Sequence, residues 1–559
     1  MRKILKEYKL GDMVARYEID EGEHVGLTLY PAELPLCENV AKTAKLDSLV
    51  QLKLTGDAYE GCYAPGNTLR NSESVKRLQY QEQNIRENDE MILIQTTLQD
   101  PRGYEVCHEL NWKKGTEYLG TKCEFRNHSG QEVQLELLAS FSLEMISPYL
   151  EGDCHEALTI HRLRSRWSQE GHLESLPLEA FQLDTGWNMD SVKCERFGQA
   201  GSLPVNNYFP WLFVEDTKSH VFWGAQLYSG ASWQMELFRK DENFAISGGL
   251  ADREFGHWKK KVAPGEGFQS PEAVMTVCRT KSIDLASGRL VQAQKAAADK
   301  VPEIEQELPI VFNEYCTTWG CPSHENIVKI LDAIKGKGFT YFVIDCGWYK
   351  EAGIPWDISM GDYQVSEDLF PEGLEKTVVA IKEAGLKPGI WFEFENVGPA
   401  SRAYQNTDHL LKLDGYPLTT SRRRFWNLND PWVMQYLDER VIGMLKKYGF
   451  EYLKVDYNDT MGVGCDGWES PGEGLRQNVL AAQEYFRKIA REIPGIVIEN
   501  CASGGHRLEP GFMGLTSMAS FSDAHECVEI PIIAANLHRA ILPRQSQIWA
   551  VIRETDSCK

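Results

Sequence analysis

Glu451-Tyr-Leu-Lys-Val-Asp-Tyr-Asn-Asp459 is the stretch on which the fold turns. Ahead of it, residues 432–447 place Val433, Tyr436, Leu437, Val441 and Leu445 near a 3.6-residue period, which predicts a helix. Gly449 stops that helix, and the run from Phe450 to Val455 reads as a short strand. A strand fed by a helix, with Lys454, Asp456, Asn458 and Asp459 crowded at its C-terminal end, is how a (β/α)8 barrel presents chemistry. Alternate residues of a strand share a face, so Lys454, Asp456 and Asn458 are expected to point the same way. The bland reading is a strand-end ion pair with an Asx turn. The flanking sequence decides between the two.

From Pro309 onward, strand patterns alternate with helical ones, the signal of a parallel sheet. Candidate strands are 310–312, 341–344, 387–392, 452–455, 495–499, 517–521 and 547–551, with helical patterns such as 326–335 and 474–491 between them. That is seven strands, whereas a barrel closes with eight. The expectation is therefore a (β/α)8 TIM barrel cut short before its last strand. An open doubly wound sheet is the alternative. It is disfavoured because polar clusters follow almost every strand instead of one switch point.

Residues 1 to about 300 read as mostly β. Short alternating segments recur at 91–98, 104–110, 116–125, 133–138 and 220–227, separated by turn clusters such as Asn127-His-Ser-Gly. This predicts a large antiparallel sandwich. It holds no catalytic constellation, so a wall beside the catalytic domain is the expected role, ahead of a sugar-binding module. Asp252 and Glu254 are expected at solvated turns. A helical stretch at 290–300 and a polar, Pro-bounded connector at 301–309 divide the chain into domains 1–300 and 301–559.

Composition narrows the function. A net charge of −22 argues against nucleic-acid binding, and the single basic run, Arg422-Arg423-Arg424, is too short to offset it. No run of 18 uncharged apolar residues occurs, so no membrane span is expected. The N-terminus shows no apolar core of a signal peptide. The 14 Cys form no CxxC pair, and free thiols in a reducing cytoplasm are the expected reading. The abundance of Trp, Tyr and Phe suits sugar binding weakly, because most such rings are core.

Five predicted strands turn abruptly polar at their ends: Asp345-Cys-Gly-Trp348, Glu393-Phe-Glu395, Asp456-Tyr-Asn458, Asn500 to Arg507, and Ser522-Asp-Ala-His-Glu526. One such junction is commonplace; five in a row at barrel spacing are hard to explain as packing. Glycoside hydrolysis needs two carboxylates flanking the bond, and Asp456 and Asp523 come from different strands of one mouth.

Taken together, Asp345-Cys-Gly-Trp, Gly389-Ile-Trp-Phe-Glu, Leu453-Lys-Val-Asp-Tyr-Asn, Asn500-Cys-Ala-Ser-Gly-Gly and Ser522-Asp523 resemble, in order and spacing, glycoside hydrolase family 36. This family of α-galactosidases also holds α-N-acetylgalactosaminidases and raffinose-type transferases. The resemblance implies a β-supersandwich, a barrel and a third, antiparallel β domain; the last barrel strand and that third domain are not found in the 559 residues. It implies Asp456 as nucleophile and Asp523 as general acid/base. It also implies sugar contacts from Asp345, Lys454 and Asn458, an aromatic wall at Trp391, a loop closing on the sugar at Cys501 and Gly504, and a binding arginine at Arg422. No metal and no cofactor are implied. Family members often assemble, so a homo-oligomer stays open.

Departures from the family pattern are Cys346 where a second Asp is common, His506 for a usual Gly, and Val455 where many relatives have Trp. They leave the preference for plain galactose less secure. Gly462-Val-Gly-Cys-Asp-Gly467 fits GxGxxG but does not join a strand to a helix, so it is read as a pocket-shaping loop. Cys501, His506, His525 and Glu526 match no zinc spacing. Glu393 and Glu395 are rival carboxylates ranked second, as pocket electrostatics. The expected activity is retaining hydrolysis of non-reducing terminal α-galactosides. The alternatives are an α-N-acetylgalactosaminidase and a catalytically silent glycan-binding protein.

Overall fold

The computed structural model describes residues 2–36, 45–59, 68–185, 192–525 and 528–553. Two kinds of sheet divide it. Up to residue 279 the strands are antiparallel and form, among the described residues, one large and two smaller sheets. The predicted segments appear there as Met91–Asp100, Tyr104–Lys113, Leu119–Asn127, Val133–Leu143 and Val221–Leu227. Their inward residues, among them Ile94, Leu110, Phe125, Phe141 and Trp223, share one core between the sheets. Asp252 corrects the expectation of a solvated turn. It is fully buried, where it caps the short helix Arg253–Gly256, accepts from Gln234 Nε2 at 3.0 Å and faces Arg196 at 3.2 Å. The predicted helix at 290–300 lies earlier, at Ile283–Gln292, followed by one turn at Lys295–Ala298, because Ser282 rather than a later residue supplies the N-cap.

The parallel sheet has seven strands in sequence order. We label them β1 (Val311–Asn313), β2 (Tyr341–Ile344), β3 (Lys387–Phe392), β4 (Tyr452–Val455), β5 (Val497–Asn500), β6 (Met518–Ser520) and β7 (Ser546–Gln547). β7 is shorter than the predicted 547–551. It pairs only through Ala519↔Ser546 and Ser520↔Gln547, and an edge strand with one partner has no second ladder to extend it. β1 and the segment following β7 line a common cavity of about 390 Å³, so the sheet curls until its two edges face each other.

Helices cover the outside of the curl. His324–Ile334 begins at Ser323, whose hydroxyl accepts from Asn326 N, and it buries Ile327, Ile330, Leu331 and Ile334 at i, i+3, i+4 and i+7. The predicted helix before β4 runs from Pro431 to Tyr448 with one wider turn at Asp438–Ile442, and ends where Gly449 takes φ 68°. Alternation along the strands then sorts side chains. Phe342 and Ile344 meet the helices, while Tyr341, Val343, Tyr452, Val497 and Met518 form a small core inside the curl.

The two halves are locked together. Leu163, Phe209, Trp211 and Phe213 from the antiparallel half pack with Leu508, Met513, Phe521, Ile533 and Leu537. Trp258 Nε1 donates to Glu473 Oε2 at 2.8 Å, and Ser202 Oγ meets Tyr457 Oη at 2.8 Å. Among the described residues no helix is long and apolar enough to cross a membrane.

Candidate active site

The C-terminal ends of β1 to β6 converge on one polar cluster inside an apolar frame. Lys454, near the end of β4, is buried, and its Nζ donates to Asp345 Oδ2 at 3.0 Å, just past β2. Asn313, at the end of β1, donates to the same oxygen at 2.6 Å. Asp345 Oδ1 accepts the Cys346 N–H at 2.9 Å, and its own N–H is taken by Glu314 Oε1 at 2.9 Å. Burial pushes the Glu314 carboxyl up to about 8. Asp345 is thus bound from three directions and cannot swing away from the mouth.

Asp456 lies two residues beyond Lys454 and is 8% exposed. Oδ2 accepts Trp391 Nε1 at 3.2 Å; Oδ1 accepts the N–H groups of Tyr457 at 2.8 Å and Ser503 at 3.2 Å. Burial works to raise its pKa, but the Lys454 charge and hydrogen bonds from Asn458, Tyr457 and Cys501 outweigh it and hold the carboxyl below its ordinary value. Asp456 is therefore an anion at neutral pH. Asp523, past β6, is displaced the other way. Burial and then the nearby charge of Asp456 push it up to about 6. The pair offers one carboxylate that stays ionised and one carboxyl that gives up and regains its proton near pH 6 at the same mouth, the division of labour that acid-assisted displacement requires.

Trp391 stands beside Asp456 with its ring stacked on Tyr349, centroids 6.0 Å apart. Asn458 is held at both ends of its amide: Nδ2 donates to Glu393 Oε2 at 2.9 Å and Oδ1 accepts from Ser503 Oγ at 2.7 Å. Glu393 in turn is fully buried and paired with Arg423 at 2.7 Å, and Glu395 is buried against Arg507. Both carboxylates are engaged by buried guanidinium groups. The Cys501 thiol is pushed well above its ordinary value, by burial first and by Asp456 second, so it is a neutral donor beside Asp456 and not a thiolate.

Gly504 shows why this loop needs glycine. Its φ is +82°, and a Cβ there would sit 2.5 Å from Asp523 N and 2.7 Å from Ser522 C. The turn after β5 thus presses directly on the backbone that carries Asp523. Gly504→Ala is expected to displace that carboxyl, and a misplacement near 1 Å lowers kcat/KM on the order of 10²-fold. Kinetics alongside a circular dichroism melt that shows an intact fold check this.

Of the nine residues singled out from sequence, eight meet here. Arg422 does not: its side chain is 62% exposed and its guanidinium bonds Asp357 Oδ2 at 2.7 Å. Its neighbour Arg423 is the buried one, reaching Glu393 and Asp459. His506 is buried as a neutral imidazole, its pKa lowered to about 4 by burial. The loop 462–467 carries Gly464 at φ 145° against Pro471, following Met461, whose N–H bonds Ser202 Oγ at 3.0 Å. Glu526 lies outside the described residues.

Sequence reasoning missed Asn313, Glu314, Ser503 and Trp167. The first two follow Val311-Phe312 at an apolar-to-polar junction of the kind that marked the other strands. Ser503 sits inside a quoted motif. Trp167 comes from the antiparallel half, and its Nε1 donates to Asp523 Oδ2 at 3.0 Å; nothing in the surrounding sequence signals it.

The family model described as Melibiase matches residues 267–542. Among curated proteins, the chain is 27% identical over 374 residues to α-galactosidase 1 of Pediococcus pentosaceus, covering 63% of this chain and 50% of that protein. It is 25% identical over 465 residues to α-galactosidase AgaA of Geobacillus stearothermophilus, covering 79% and 60%. The chain thus spans about half the length of the curated relatives it matches. Among solved structures, a variant of the Geobacillus stearothermophilus enzyme in complex with raffinose aligns with TM-score 0.78 at 18% identity, covering 96% of this chain and 77% of that one. The α-galactosidase of Lactobacillus brevis aligns with TM-score 0.76, also at 18% identity, covering 96% and 75%. At that identity the likeness is one of fold.

Proposed function

Residues 267–542 place the chain in the Melibiase family, the α-galactosidases of glycoside hydrolase family 36, and from that premise we propose that it is a retaining α-galactosidase. Residues 301–559 are the catalytic domain, seven strands of a (β/α)8 barrel, and residues 1–300 are the wall that encloses one side of its mouth. The substrates are non-reducing terminal α-galactosides of the raffinose and stachyose class, for which solved relatives of the same fold provide the analogy. The free thiols suit a reducing compartment, and we place the protein in the cytoplasm.

The observation that carries this reading is the opposite displacement of two carboxyls at one mouth, Asp456 downward and Asp523 up to about 6. Asp456, anionic, attacks the anomeric carbon as Asp523 gives its proton to the departing glycosidic oxygen. Once Asp456 is esterified its charge is gone, so Asp523 loses one of the influences holding its proton. It then takes a proton from the water that attacks the glycosyl-enzyme. Lys454, Asp345 and Asn458 hold sugar hydroxyls, and Trp391 packs against the apolar face of the ring.

The test is hydrolysis of nitrophenyl α-galactoside and α-N-acetylgalactosaminide side by side, with the first-formed anomer read by NMR. Release of α-galactose from the first substrate alone is the expected result. Preference for the second substrate would replace galactose by N-acetylgalactosamine. First release of the β anomer would exclude the double displacement.

A further inference from the structure

One loop of the antiparallel half, residues 165–171, reaches the barrel mouth. It joins the strands Leu158–Arg164 and His172–Pro177. The loop is held at its base and folded tightly. Ser165 N–H donates to Asn207 O at 2.8 Å, the Arg166 guanidinium bonds Asn207 Oδ1, and Gln169 N–H closes a turn on Arg166 O at 2.9 Å. Glu170 is 1% exposed and accepts the Ser168 N–H at 2.9 Å. It lies under the turn after β5, so closely that a Cβ on Gly505 would fall 2.7 Å from its Cγ. The apolar interface built from Leu163, Phe209, Phe521 and Leu537 fixes this loop relative to the barrel.

Trp167, at the tip, is 62% exposed, yet its one polar atom is directed at Asp523 Oδ2, 3.0 Å away. An exposed indole gains little from packing, and its N–H has water available. A directed bond to a half-buried carboxyl therefore points to a role at that carboxyl. On the reading that Asp523 is the acid/base, we propose that Trp167 is a positioning residue for it: the indole N–H occupies Oδ2 and assigns the travelling proton to Oδ1.

The chemistry follows from what each group can do. Indole nitrogen is a donor only, so an oxygen that accepts from it is the poorer place for a proton. In the first step the Oδ1–H bond breaks and the glycosidic oxygen gains that proton as its bond to the anomeric carbon opens and Asp456 closes a new one. In the second step water loses a proton to Oδ1 as its oxygen replaces Asp456. Oδ2 stays bonded to Trp167 throughout, and the carboxyl does not rotate between steps. Among the charged and titratable groups that act on Asp523 are Asp456 and Asp345, which favour its protonated form, and Lys454 and the Trp167 N–H, which favour its anion; the Glu170 carboxyl on the loop and the Cys501 thiol are also within reach of its charge.

Trp167→Phe keeps a ring and removes the N–H. The basic limb of the kcat/KM profile on nitrophenyl α-galactoside is expected to move up by about half a pH unit, because the anion has lost a donor. With an unactivated oligosaccharide, kcat is expected to fall about tenfold while KM stays within about twofold. A fall in kcat with an unmoved pH limb would mean a merely structural role and overturn the proposal, as would no change in either. A readout independent of turnover separates this from the proposed function. The pH titration of the Trp167 fluorescence, taken as wild type minus Trp167→Phe, is expected to show a transition near pH 6 that Asp523→Asn removes. If the wild type cleaves no α-galactoside, the functional reading fails while the fluorescence still decides the contact; a difference signal with no such transition overturns it.

Discussion

Asp456→Ala is expected to lower kcat on nitrophenyl α-galactoside on the order of 10⁴-fold or more, with the protein still folded. No neighbour can take over. Asp345 is bonded to Asn313 and Lys454, Glu393 to Arg423, and Glu395 to Arg507, and Cys501 is held as a neutral thiol. The fold survives because buried Lys454 keeps Asp345 as its counter-ion. The alanine leaves room on the face from which Asp456 attacks. Azide added with an activated α-galactoside should enter there and give the β-galactosyl azide. Recovery of that product assigns the nucleophile. Unchanged turnover in the variant would remove Asp456 from the mechanism.

Asp523→Asn is expected to separate substrates by leaving group. Unactivated oligosaccharides, which need a proton at the departing oxygen, should lose about 10²- to 10⁴-fold in kcat/KM. Aryl galactosides with acidic leaving groups should keep most of theirs. Azide should then raise turnover and give the α-galactosyl azide, the opposite anomer from the Asp456 variant, because the glycosyl-enzyme still forms.

The same substitution carries a stability prediction. The Asp523 carboxyl has a folded-state value of about 6 against an ordinary 3.8. A carboxyl raised on folding binds its proton more tightly in the folded state. Ionisation therefore removes stability as pH rises from about 4 to about 6, and the loss persists above that. Asparagine carries no such charge, so the variant should melt higher than wild type at pH 7, by about 3 kcal/mol in stability, with the difference gone below about pH 4. In the wild type, activity with unactivated substrates should fall as pH rises through about 6, where the acid loses its proton, and fall again at low pH as Asp456 gains one. Equal melting of the two proteins at pH 7 would place Asp523 in a more open setting.

Much of this was legible one strand at a time. The run Tyr341-Phe-Val-Ile and the run Lys387 to Phe392 appear as strands with the bounds their apolar patterns predict, because both faces of a parallel strand are buried and the pattern ends where burial ends. β7 is shorter than its apolar pattern predicts, because apolar residues continue past Gln547 while the ladder that would pair them does not. Arg422 and Arg423 were indistinguishable as letters. Which of two adjacent arginines enters the mouth depends on the short antiparallel pairing that turns Arg423 inward toward Glu393.

The sequence by itself marked the parallel half, its strands in order and most of the polar residues that meet at their ends, because strand ends, helix stops and the apolar-to-polar junctions are local features written within a few residues of each other. Only the tertiary structure decided which carboxyl is held below its ordinary value, which is pushed above it, and that Trp167 reaches Asp523 across 356 positions of sequence. Ionisation depends on burial and on charges brought in by other strands. Contact with a distant loop depends on how two halves pack, and neither leaves a period or a spacing in the chain.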